Sequence, residues 1–168
     1  MSLTMHTCSV RTFQRHLRGL ANCLTKAKTL YQEKKYDEAS LVNYRLFPDM
    51  FDFARQVRMS TMHACQCTEL LSGVARPTFE DNEKTLEELV ARVQKTIDYL
   101  AGVKAEQIDG TEGKSVVVKM GAREVTFTGT DLLLKRSLPN FYFHVTTAYN
   151  ILRHNGVEIG KGDFMGAS

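Results

Sequence analysis

Apolar residues recur at spacings of three and four along four separate segments of this chain, the pattern of helices that each bury one face. The third segment begins with Thr85 and Glu88, which have the spacing of a capping box. The first segment has the clearest apolar seam, formed by Val10, Phe13, Leu17, Leu20, Leu24, Ala27 and Tyr31. Four such helices predict an all-α fold, a bundle in which the apolar seams face one another.

Helix ends are predicted from proline and glycine. Pro48 can open the second helix and Gly73 ends it, because proline suits a first turn and glycine suits the left-handed residue that closes one. The fourth helix is predicted from Ser137 to the helix stop Asn155-Gly156. The remaining glycine-rich chain, 157–168, is predicted to be irregular.

The period changes from helical to two between the third and fourth helices. Residues 114–128 are predicted to form two short β-branched strands around a turn at Gly121. An isolated hairpin is marginally stable in water, so this hairpin is expected to pack on the helices.

Composition and charge exclude several classes of function. The 168 residues carry a net charge of only +3, with basic and acidic residues interspersed, so no nucleic-acid partner is expected. No apolar run approaches the roughly 18–20 residues that span a bilayer, and the N-terminus lacks the apolar core of a signal peptide. We therefore expect no membrane partner, a cytoplasmic location and four free cysteine thiols.

Two histidines fall on the inward faces of their helices. His63 shares a face of the second helix with Phe53, and His144 lies inside the apolar arc of the fourth. A buried imidazole without a partner costs about 1–3 kcal/mol, so each ring needs a hydrogen-bond partner, a metal or a ligand. His63 and His144 are therefore the main candidates for functional residues. His16, at the edge of the first seam, is predicted to be a partly exposed histidine.

Two stretches of the chain resemble a known family. LFPDMFDFARQVRMSTMHA and LPNFYFHVTTAYNILRHNGVEIGKGDFMG, with the hairpin between the third and fourth helices, resemble an uncharacterised subfamily (a domain of unknown function) of the DinB-like, or YfiT-like, superfamily. This superfamily is distinct from the DNA polymerase that shares the DinB name. The resemblance implies that residues 1–168 are a single DinB-like four-helix-bundle domain with a small β-hairpin inserted between helices 3 and 4. It also implies a homodimer, with a pocket between helices 2 and 4.

The same resemblance implies a metal site. Relatives in the superfamily hold a divalent metal with three histidines, one on the second helix and two spaced four apart on the fourth, and they include transferases and an isomerase. His63 and His144 match two of these positions, which suggests zinc, nickel or iron and a metal-dependent transferase or isomerase. The third position is Ala148, which cannot coordinate a metal. Cys67, one turn from His63, is the best substitute donor, ahead of His16.

The alternative hypothesis needs no metal. His63 and His144 would hydrogen-bond to each other, to Asn140 or Thr147, or to a small-molecule ligand in a pocket that also includes Met59 and Ala148. Such a pair could serve in proton transfer, since histidine titrates near neutral pH. The protein could equally be a noncatalytic small-molecule-binding or stress-related dimeric bundle with structural core histidines. The sequence leaves the substrate open.

Overall fold

Four long helices form the core of the protein in a computed structural model that describes residues 3–166. In chain order the helices are α1 (Thr12–Lys34), α2 (Glu38–Val42), α3 (Phe53–Ser72), α4 (Leu86–Ala101), α5 (Gly129–Asp131), α6 (Leu138–His154) and α7 (Lys161–Phe164). The long helices α1, α3, α4 and α6 correspond to the four predicted helices. Helix α1 packs mainly on α4, and α3 packs mainly on α6. The predicted helical bundle is confirmed.

Aromatic residues at the predicted seam positions fill the centre of the bundle. Phe13 of α1 and Phe141 of α6 are completely buried, and their ring centroids lie 4.9 Å apart in an edge-to-face arrangement. Phe53, the first residue of α3, is also completely buried. Burying an aromatic side chain of this kind stabilises the fold by roughly 1.5–3 kcal/mol, so these seams account for much of the bundle's cohesion.

Side-chain caps set the starts of two of the long helices, α3 and α4. The predicted capping box is confirmed, since Glu88 N–H donates to the Thr85 hydroxyl and the Glu88 carboxylate accepts from Thr85 N–H. The predicted start of the second helix at Pro48 is wrong. Helix α3 begins at Phe53 because the Asp52 carboxylate accepts the Arg55 backbone N–H at 2.8 Å.

The predicted hairpin is confirmed. Strand β1 (Ser115–Met120) pairs antiparallel with β2 (Arg123–Thr128), and Val118 faces Val125 across the ladder. Val116 and Val118 are buried against the bundle, as the alternation of a half-buried strand requires.

The chain then makes a tight passage into α6. Gly129 lies against the carbonyl oxygen of Thr111 so closely that a Cβ would overlap it. A π-helical turn, Leu132–Ser137, follows α5 and runs directly into α6. This turn packs against α3, so the hairpin connection brings Arg136 and Ser137 to the seam between α3 and α6.

An irregular chain was predicted for the C-terminal segment, whose last two residues lie outside the described range; the rest of it is irregular except for one short helix. It includes α7, and Lys26 of α1 pairs with Asp163 at 2.7 Å. The predicted exposure of His16 is wrong, because this residue is buried beneath Phe164. The Phe164 ring lies 5.4 Å from the imidazole, and the Phe164 carbonyl oxygen lies 3.3 Å from His16 Nδ1. So short a helix carries no periodic signal, which is why the sequence did not reveal it.

Replacing Gly19 with alanine is expected to destabilise the protein by about 1–3 kcal/mol. A Cβ on Gly19 would lie 2.6 Å from the backbone oxygen of Asp163, so the segment containing α7 would have to move. On an unobstructed helix face the same change would stabilise the protein by up to about 1 kcal/mol. A destabilising effect would therefore show that residue 19 contacts the segment containing α7. Urea denaturation measures it, with Gly162→Ala as the matched control because a Cβ there meets nothing within 4 Å. A Gly19→Ala protein as stable as the wild type would contradict the prediction.

Candidate functional site

His63 and His144 meet across the seam between α3 and α6. Their ring centroids lie 5.6 Å apart, and the ring planes are inclined by only 11°. Both residues are buried, at 6% and 7% exposure respectively. The Phe51 ring is almost parallel to His144, with an angle of 6° and a centroid distance of 6.2 Å. His144 therefore lies among aromatic rings and is largely shielded from water.

Burial keeps both imidazoles uncharged at neutral pH. Desolvation lowers the pKa of His144 to about 4, because a charged ring would lose its hydration. The pKa of His63 is also lowered to about 4, mainly by desolvation, with smaller contributions from the nearby Arg136 charge and from His144. Neutral imidazoles can bind ligands through one nitrogen lone pair each.

Gln56 fixes the tautomer of His144. The Gln56 side-chain Nε2 donates to the Phe51 carbonyl oxygen at 3.2 Å. Because a carbonyl oxygen can only accept, this bond fixes the amide orientation, and Gln56 Oε1 faces the histidine. Oε1 accepts from His144 Nδ1 at 2.7 Å, and Gln56 is almost completely buried. The proton of the neutral ring is therefore on Nδ1, and the lone pair is on Nε2.

Asn140 and Thr147, which were predicted to line the pocket, hydrogen-bond to backbone carbonyl oxygens one turn earlier in the chain. Asn140 Nδ2 donates to the Arg136 carbonyl oxygen, and the Thr147 hydroxyl donates to the Phe143 carbonyl oxygen, each at 2.7 Å. Met59 is partly buried, and Ala148 is completely buried. Gln56 was not identified as a site residue from the sequence. Gln56 precedes His63 by seven residues, or about two helical turns, and this spacing places both residues on one helix face.

A cavity of about 190 Å³ reaches His144 from outside the bundle. It is lined by Asp49, Met50, Phe51, Gln56, Phe143 and His144. The Phe143 ring stands almost perpendicular to the imidazole at 5.3 Å and is 55% exposed, so it forms part of the rim. The cavity thus combines aromatic walls with one imidazole, whereas His63 is not among its lining residues.

The donors present do not fit a resident divalent metal. A stable protein site generally has three or four protein ligands, and Ala148 supplies none. The Cys67 thiol is completely buried, and desolvation raises its pKa to about 12, so it stays protonated. His16 packs against Tyr142 at 4.9 Å and lies beside the Phe164 carbonyl. Within residues 3–166, no three His, Cys, Asp or Glu side chains form a group that could hold a metal ion.

Buried polar atoms without a hydrogen-bond partner concentrate on α3 and the π-helical turn. Among the described residues these atoms are His63 Nδ1, Gln66 Oε1, Thr68 Oγ1, Arg136 Nη1 and Ser137 Oγ. The Ser137 hydroxyl lies close enough to the Cys67 thiol to lower the pKa of that thiol, against the larger rise that burial causes. Because an unpaired buried polar atom costs about 1–3 kcal/mol, a group of them marks a place where a ligand or ordered water would add stability.

Comparison with known proteins gives a family and a fold. The family model described as "Domain of unknown function (DUF1993)" matches residues 5–165. A crystal structure of a DinB family member protein from Shewanella denitrificans is 33% identical, with a TM-score of 0.85 over 97% of this chain and 92% of that chain. No curated protein matches the chain. None of the helices in the described part of the chain has the length and apolar composition needed to span a bilayer.

Proposed function

The chain belongs to the DUF1993 family and has the helical fold of a DinB family member, and from the geometry of its site we propose a function. The protein binds a small organic molecule beside His144 without a resident metal. The resemblance drawn from the sequence is confirmed at the level of family and fold. The proposal concerns the cavity of about 190 Å³ at the outer end of the α3–α6 seam.

One observation carries the proposal, namely the fixed orientation of His144. Gln56 occupies Nδ1, and Nε2 has no hydrogen-bond partner among the described residues. A fixed acceptor on a cavity wall favours a ligand with a hydroxyl or amine group, which would donate to Nε2. Phe51 and Phe143 supply apolar walls for a flat ring of about the size of phenol.

The imidazole pair favours binding over catalysis. A general base works best when its pKa lies near the operating pH, and a ring with a pKa of about 4 is a weak base at pH 7. The same ring remains a good hydrogen-bond acceptor, because it is neutral and oriented. This supports the noncatalytic small-molecule-binding hypothesis over a transferase or an isomerase.

Phenol is expected to bind the wild-type protein about tenfold more tightly than it binds the His144→Phe variant. The substitution keeps a flat ring but removes the acceptor, and one hydrogen bond contributes about 0.5–1.5 kcal/mol. Ligand-observed NMR titration measures both affinities. Toluene, which has the shape of phenol without its hydroxyl, is expected to bind both proteins equally and weakly. His154→Phe, an exposed histidine at the end of α6, is the matched control.

Two results would contradict this proposal. Phenol binding that disappears after treatment with a chelator would show that a metal is part of the site. Elemental analysis that finds one equivalent of zinc, nickel or iron in protein purified without an affinity tag would restore the metal-dependent hypothesis. The predicted homodimer and cytoplasmic location stay predictions, which sedimentation and fractionation would test.

A further inference from the structure

Arg136 differs from every other buried arginine in the described chain. Three arginines there are partly or wholly buried, and two of them pair with Glu83: Arg58 at 2.7 Å and Arg92 at 2.8 Å. Within residues 3–166 the Arg136 side chain has no hydrogen-bond or ion-pair partner, and its Nη1 is shielded from solvent. A buried guanidinium nitrogen without an acceptor is costly, so Nη1 would gain from a hydrogen bond to a ligand.

The neighbours of Arg136 are also short of partners. The π-helical turn that carries Arg136 packs against α3, where His63 Nδ1 and Gln66 Oε1 are buried without a hydrogen bond. Arg136 is near enough to His63 for its charge to lower the pKa of that imidazole. Rotating the Gln66 amide by 180° would present its nitrogen, so the group can offer donors from three side chains.

We propose that Arg136 and His63 form a binding site for the carboxylate of a small organic anion at the inner end of the α3–α6 seam. His63 stacks on His144 at 5.6 Å, so this site adjoins the cavity beside His144, but neither Arg136 nor His63 is among the residues that line that cavity. The guanidinium fork would donate two parallel hydrogen bonds to the carboxylate, and His63 Nδ1–H would donate a third. The inference does not depend on the function proposed for that cavity.

Charge decides the class of ligand. The acidic residue nearest to Arg136 in sequence, Asp131, is paired with Lys135 at 2.9 Å, and Glu69 of α3 is paired with Arg76 at 3.3 Å. The site therefore carries one uncompensated positive charge, which one carboxylate neutralises. A phosphate dianion would leave a negative charge in partly buried surroundings, and a divalent cation would be repelled.

Acetate is the probe that tests this site. Acetate is expected to bind the wild-type protein at least tenfold more tightly than it binds Arg136→Met, because the variant loses both charge-assisted hydrogen bonds. Titration of carbon-13-labelled acetate by NMR, with sodium chloride keeping the ionic strength constant, measures both affinities. Arg153→Met, which removes an exposed arginine of α6, is expected to bind acetate as the wild type does.

Each alternative result is informative. No acetate binding to the wild type, or equal binding to wild type and Arg136→Met, overturns the site. Phosphate that binds more than tenfold more tightly than acetate overturns the carboxylate assignment. If Arg136→Met does not fold, Arg136→Lys replaces it, since lysine keeps the charge without the fork and is expected to bind acetate about tenfold more weakly. Phenol binding retained by either variant separates this outcome from failure of the cavity proposal.

Discussion

Lowering the pH from 7 to 4 is expected to reduce the free energy of unfolding by up to about 3 kcal/mol for each of His63 and His144. The pKa of each ring is lowered from 6.5 to about 4, by burial alone at His144 and at His63 mainly by burial, with Arg136 and His144 contributing to that total. Between these two values the unfolded chain binds protons that the folded chain does not. The stability that these two neutral rings contribute is therefore fully present above about pH 6.5 and decreases as the pH falls towards 4. Well below pH 4 both rings are charged in the folded and the unfolded chain, so their contribution no longer changes with pH.

Comparison with a double variant isolates this effect. Urea denaturation between pH 7 and pH 4 would be measured for the wild type and for His63→Gln combined with His144→Gln. Carboxylates titrate in both proteins, whereas the two imidazoles titrate only in the wild type. We expect the variant to lose several kcal/mol less over this range. Equal losses in the two proteins would show that the rings are not held uncharged by burial.

Replacing Glu83 with alanine is expected to destabilise the protein by about 3 kcal/mol. Glu83 accepts hydrogen bonds from Arg58 Nε and from Arg92 Nη1, and the Arg92 side chain is only 4% exposed. Its loss would leave Asp81 as the one acidic partner of Arg92 in the described part of the chain, and the Asp81 side chain is 63% exposed. A buried cation with a weakened partner is the physical cause of the large effect.

The matched control is Glu80→Ala, a change in the same segment. Glu80 is exposed and has no ion-pair partner among residues 3–166, so its loss is expected to change stability by less than about 0.5 kcal/mol. Chemical denaturation of both variants at pH 7 measures the difference. A Glu83→Ala protein as stable as Glu80→Ala would mean that the Asp81 pair alone compensates Arg92.

Sequence periodicity and short-range chemistry were enough to predict the bundle. Four apolar seams at helical spacing can be buried only against one another, and the Thr85–Glu88 capping box acts within a single turn, so both follow from local residues. The hairpin follows from its change of period to two. The inward orientation of His63 and His144 follows from their position on the apolar face of each helix.

Only the tertiary structure decided how the site is built. Gln56 and His144 are 88 positions apart, and their 2.7 Å hydrogen bond depends on the register of α3 against α6, which no local pattern specifies. Packing likewise decides which arginines find a carboxylate, since Glu83 forms ion pairs with Arg58 and Arg92, whereas Arg136 has no such partner in the described chain. Local spacing determined which side chains face inward. Long-range packing determined which of them find partners, because a hydrogen bond requires two groups within about 3 Å that distant parts of the chain supply.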